Sequence, residues 1–138
     1  MIGIVGGIGP AAGIYLANLV TQNTKATADQ QHLPLILSSV PNIPDRTGFL
    51  EGKAAHNPGI DIGVALVTLE KMGATVGGIA CNTAHAPEIF NLAKAGLGVR
   101  SGLQLLNMID ETVHYISTNF DNVTKVGILS TNGTYRFE

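Results

Sequence analysis

The sequence predicts an α/β layer fold, a parallel sheet flanked by helices, on three observations. Short uncharged apolar runs alternate with segments of helical spacing along the 138 residues. Connections between the runs are long enough to carry a crossover helix, which parallel pairing requires. Composition is 45% hydrophobic and only 13% charged, which supplies one buried core and is too apolar for disorder.

The first strand is Met1-Ile2-Gly3-Ile4-Val5, a continuous apolar run. Gly6-Gly7-Ile8-Gly9-Pro10 follows as a tight turn, with Pro10 in the first helical turn, where its missing N–H costs nothing. Ile14, Leu16, Leu19 and Val20 carry a helix toward Ala28. The lack of charge over residues 2–24 raises a membrane span, but five glycines, Pro10, Asn18, Gln22 and Asn23 fit strand, turn and helix better.

Residues 33–40 read as a buried second strand stopped by Pro41. Residues 41–58 collect Pro41, Pro44, Gly48, Gly52 and Pro58 and read as a long loop, a common place for function. Ile62, Ala65, Leu66 and Leu69 give 60–72 a helical face, with Gly73 as its stop. Residues 76–80 form a short buried strand, Cys81 to His85 a turn, and Pro87 opens the next helix. A strand over 99–106, a helix over 108–118 and a strand over 123–129 complete the alternation.

Eight Lys and Arg against ten Asp and Glu give a net charge of −2 with no basic run, so neither nucleic acid nor an anionic membrane finds an electrostatic footprint. The single cysteine excludes an intramolecular disulfide. The first charged residue is Lys25, so the positive start of a secretory signal is missing and a cytoplasmic location is expected.

Ligands of open parallel sheets bind beyond the carboxyl ends of the strands, where residues 6–9, 41–46, 81–85 and 130–134 should meet. Gly7-x-Gly9-x-x-Ala12 matches the short dinucleotide fingerprint, but the acid expected after the second strand is replaced by Ser38, Ser39 and Val40. The turn either holds a ligand carboxylate on its N–H groups, Gly9 among the candidates, or only packs helix on strand. Cys81 stands at a strand end before a helix N-terminus whose dipole favours a thiolate, as a nucleophile or carbon base would; the alternative is a small buried hydrophobe. Asn82 and Thr83 bring an amide and a hydroxyl to the same rim. His85 either bonds local backbone or pairs with Cys81, and the former is the commoner role in a first turn. Arg46 offers a guanidinium to a carboxylate or pairs with neighbouring Asp45. Soft ligands are too few for a metal site, and His32, His56 and His114 show no partner pattern.

Gly-Gly-Ile-Gly-Pro at 6–10, Ile-Pro-Asp-Arg-Thr at 43–47, Cys-Asn-Thr-Ala-His at 81–85 and Leu-Ser-Thr-Asn-Gly-Thr at 129–134 together resemble the aspartate/glutamate racemase family, its aspartate racemase branch in particular. The resemblance implies a cofactor-independent amino-acid racemase of two similar flavodoxin-like α/β domains with the active site between them. It implies that Cys81 is one of two catalytic thiols. Asn82 and Thr83, with the turn at Gly9, would bind the amino-acid carboxylate of a small acidic substrate. Arg46 would bind its second carboxylate, and Thr131 and Thr134 would line the same cleft.

On that resemblance residues 1–120 are the N-terminal domain, and 121–138 are the first strand and loop of a second domain that is otherwise missing. No cysteine follows Cys81, although the family's second thiol lies in that second domain. The 138 residues are therefore expected to be incomplete and inactive as a racemase by themselves. A composite site from two copies and a non-catalytic binder of acidic amino acids or small carboxylates are the alternatives. Dimers are common in such a family and 123–129 is apolar, which leaves a homodimer open. Ile8 and Ala11 stand where the family often shows Met and an acid, which leaves aspartate or glutamate undecided.

Overall fold

A computed structural model describes residues 1–130 and 135. In chain order its elements are β1 (Ile2–Gly6), α1 (Pro10–Asn23), β2 (Leu35–Ser39), α2 (Arg46–Leu50), α3 (Gly59–Lys71), β3 (Val76–Ile79), α4 (Pro87–Leu97), β4 (Gln104–Leu105) and α5 (Met108–Asn119). Short 3₁₀ turns lie at Asp29–Gln31 and Asn82–His85. The four strands form one parallel sheet in the order β2-β1-β3-β4, as the alternation of runs predicts. No helix among the described residues is long and apolar enough to cross a membrane.

Successive residues of a strand face opposite sides, and β1 uses glycine on both. A Cβ at Gly3 would meet the Ala74 Cβ at 2.9 Å and Leu69 of α3 at 3.2 Å, so α3 lies on that face. A Cβ at Gly6 would meet the Gly13 Cα of α1 at 3.1 Å, so α1 lies on the other. The core is the α3 side: Val5, Ile62, Leu66, Leu69, Ile79, Ile89 and Ala93 are buried together, with Leu103 and Phe90 at its margin. Gly63 of α3 and Gly96 of α4 let those helices approach closely, since a Cβ on Gly96 would stand 3.3 Å from the Gly63 Cα.

Several boundaries differ from the sequence reading. The first helix stops at Asn23, because Thr24 turns extended and its hydroxyl bonds the Val20 carbonyl at 2.7 Å. The run at 33–40 pairs only over Leu35–Ser39, and as an edge strand it is half-buried rather than buried. The loop at 41–58 contains α2, which Asp45 caps through the Gly48 N–H. The strand expected over 99–106 shrinks to Gln104–Leu105, since the Glu70 carboxylate of α3 takes the Ser101 hydroxyl at 2.9 Å and the Gly102 N–H at 2.7 Å. Residues 123–129 form no strand: among the described residues their backbone has no sheet partner, and each residue is exposed.

Candidate active site

Parallel pairing brings the carboxyl ends of β1, β2 and β3 to one edge of the sheet. Val5 lies opposite Ile79, and Gly6 opposite Ser39. Beyond the last pairs, Ala80 donates its N–H to the Val5 carbonyl at 2.9 Å and Val40 donates to the Gly6 carbonyl at 3.1 Å. The chain therefore stays in register until Gly7, Pro41 and Cys81 emerge at the rim, as the positions of the three motifs predict.

The two glycines of the turn after β1 serve different ends. Gly7 has φ +87°, and a Cβ there would run into the backbone of Val40 and the Pro41 nitrogen. Packing of the turn against the end of β2 explains Gly7. Gly9 has φ +90° and is exposed, with the Ala12 Cβ at 3.8 Å as its nearest neighbour. Its backbone is open to a ligand where the Gly7 backbone is covered.

Cys81 is half-buried and extended, with φ −156° and ψ 117°. Asn82 and Thr83, also half-buried, open the 3₁₀ turn Asn82–His85, and α4 begins only at Pro87. The turn expected over Cys81 to His85 and the helix start expected at Pro87 are both present.

His85 is buried, 5% exposed, and its ring stacks on Phe90 with centroids 5.1 Å apart and planes at 24°. Its Nδ1 lies 2.9 Å from the Cys81 carbonyl oxygen, the local backbone role rather than a bond to the thiol. Burial pushes the imidazole below its ordinary range, against the opposing pull of the Cys81 and Asn82 carbonyls and the Asp110 carboxylate at the start of α5.

Arg46 is the first residue of α2, which packs against the Asn82–His85 turn. Its Nη1 donates to the Pro44 carbonyl at 3.0 Å and, at 3.5 Å, toward that of Ile43. Asp45 gives its carboxylate to the Gly48 N–H, so the neighbouring acid serves as a helix cap and forms no ion pair with Arg46 among the described residues. The Arg46 Nε is buried and has no partner among the described residues.

The rim thus brings Gly9, Arg46, Cys81, Asn82 and Thr83 to one edge of the sheet, while Thr131 and Thr134 lie outside the described residues. His56, read as partnerless, pairs instead with Asp61 at 2.6 Å on the surface. Sequence reasoning missed Asp45 as a cap, although Asp before a short polar segment is a helix-start signal. It also missed Asp110, whose approach through α5 packing on the turn no local pattern announces. Two open grooves, one between α3 and α4 along Gly63, Val64, Leu92 and Gly96, carry none of these residues.

A family profile described as Asp/Glu/hydantoin racemase matches residues 5–136. Among solved structures the chain is similar to one described as a Picrophilus torridus aspartate racemase, with a TM-score of 0.81 and 33% identity. That match covers 97% of this chain and 53% of the other, so the chain spans about half of that racemase's length.

Proposed function

The chain belongs to the Asp/Glu/hydantoin racemase family, and on that premise we propose that it serves the racemisation of an acidic amino acid, aspartate or glutamate, with Cys81 as acid and base on one face of the α-carbon. The observation that carries this reading is a cysteine emerging at the carboxyl rim beside Asn82, Thr83 and the helix that Arg46 begins. In one direction the Cys81 thiolate takes the α-proton: the C–H bond breaks, an S–H bond forms, and the electron pair stays on carbon. A second acid on the opposite face then returns a proton, and the roles exchange in reverse. Asn82, Thr83 and the backbone at Gly9 hold the amino-acid carboxylate, Arg46 holds the side-chain carboxylate, and Thr131 and Thr134, outside the described residues, are assigned to the same substrate.

Cys81 is the sole cysteine of the 138 residues, so the second group is not another thiol of the same stretch. We assign that group to a second domain, with residues 1–120 forming the first, and expect no full turnover from these residues alone. The same observation favours a second reading, a non-catalytic binder of acidic amino acids.

Proton NMR of L- and D-aspartate and glutamate in heavy water, with the chain and its Cys81→Ser variant, separates these outcomes. Loss of the α-proton signal with the parent alone supports the thiol base. Exchange that persists in Cys81→Ser overturns it. Binding without exchange in either protein leaves the binder.

A further inference from the structure

We infer that His85 is a positioning residue for Cys81: its Nδ1–H holds the Cys81 carbonyl and thereby fixes the path by which the chain leaves the sheet, keeping Asn82 and Thr83 beside the thiol. The inference rests on the reading of Cys81 as an acid and base and deepens it. A carbonyl oxygen only accepts, so the 2.9 Å contact requires the proton on Nδ1 and leaves Nε2 of the neutral ring as a bare lone pair. Nε2 is sealed from solvent and has no partner among the described residues, so the ring reaches no substrate and cannot itself exchange the α-proton.

What the ring does is mechanical. The Cys81 carbonyl takes two donors, His85 Nδ1 and the Ala84 N–H at 3.3 Å, and rotation of that peptide would break both bonds. Those bonds hold ψ of Cys81 at 117°, and with it the path of the chain as the cysteine leaves the sheet. The ring is itself fixed by its stack on Phe90, 7% exposed at the base of α4. Burial keeps the imidazole neutral, consistent with a group that moves no charge.

Substitution separates positioning from plain core filling. In His85→Asn the side-chain amide nitrogen stands where Nδ1 was, in His85→Gln it stands near Nε2, and His85→Leu keeps bulk alone. The pH profile of Cys81 alkylation by iodoacetamide reports thiol placement whether or not the chain turns over, so an inactive chain does not disturb the test. We expect His85→Asn to keep the parent profile, and the other two to slow alkylation about fivefold, the equivalent of one buried hydrogen bond. Equal profiles for all three variants, or equal loss in all three, overturn the inference. Nitrogen NMR of the parent supplies the reading that needs no variant: an unprotonated Nε2 at neutral pH supports it, and a protonated Nε2 overturns it.

Discussion

The Asp45 carboxylate caps the backbone N–H of Gly48, and this bond sets the first turn of α2 at the residue that begins it, Arg46. A cap of this kind contributes about 1 kcal/mol. Asp45→Ala is therefore expected to lower global stability by about that amount and, more tellingly, to weaken aspartate binding, because α2 frays under Arg46. Urea unfolding and an NMR titration of aspartate measure the two effects; unchanged binding would separate Arg46 from the ligand.

Arg46 itself makes a sharper case. Its Nη1 is engaged by the Pro44 carbonyl, yet the rest of the guanidinium fork is uncommitted to any acid among the described residues. Arg46→Lys keeps the charge and loses the planar fork, so a dicarboxylate should bind about tenfold more weakly, or about 1.4 kcal/mol. A monocarboxylate amino acid such as alanine should show no such difference between parent and variant. Equal weakening of both ligands would place Arg46 in support of the loop rather than in substrate selection.

Gly7 and Gly9 share a left-handed φ and differ in surroundings. Alanine at Gly9 meets only the Ala12 Cβ, at an ordinary contact distance of 3.8 Å, so its cost is the backbone term of about 1–2 kcal/mol. Alanine at Gly7 adds a clash with the backbone of Val40 and Pro41 and should destabilise by clearly more, as a lower urea midpoint reads directly. The Gly9→Ala protein should fold yet bind acidic amino acids less well, because its methyl stands where a ligand approaches the turn.

The strands that build the rim were legible because each is an uncharged run that gives way within two residues to Gly, Pro or Cys. What escaped depended on distant partners. Glu70 takes Ser101, 31 residues away in sequence, and so holds back the chain that would otherwise have lengthened β4. The edge position of β2 follows from strand order, which no local spacing encodes. The candidate residues Cys81, Asn82, Thr83 and Arg46 stand out by chemical type in apolar or loop surroundings, and sheet register alone carries three of them to one edge. The turn after Cys81 was legible for a local reason: Pro87 favours a helix start at itself, and residues 82–85 close first into a tighter turn.

Burial of His85 makes stability depend on pH in a direction that can be worked out. In the unfolded chain the imidazole titrates near its ordinary value of 6.5, and in the folded chain burial lowers it. Between the two values the unfolded state binds more protons, so stability rises with pH there. The contribution is fully present above 6.5 and is lost as pH falls toward the folded value. His32, His56 and His114 are common to both proteins, so the comparison that isolates His85 is the difference between the parent and His85→Asn, which retains the other three. From pH 7 to pH 5 the parent's urea midpoint should drop more steeply than the variant's, roughly within the one interval around the histidine pKa. A parent that instead gained stability relative to His85→Asn on acidification would mean a charged imidazole in the folded protein, paired with Asp110 strongly enough to overcome its burial.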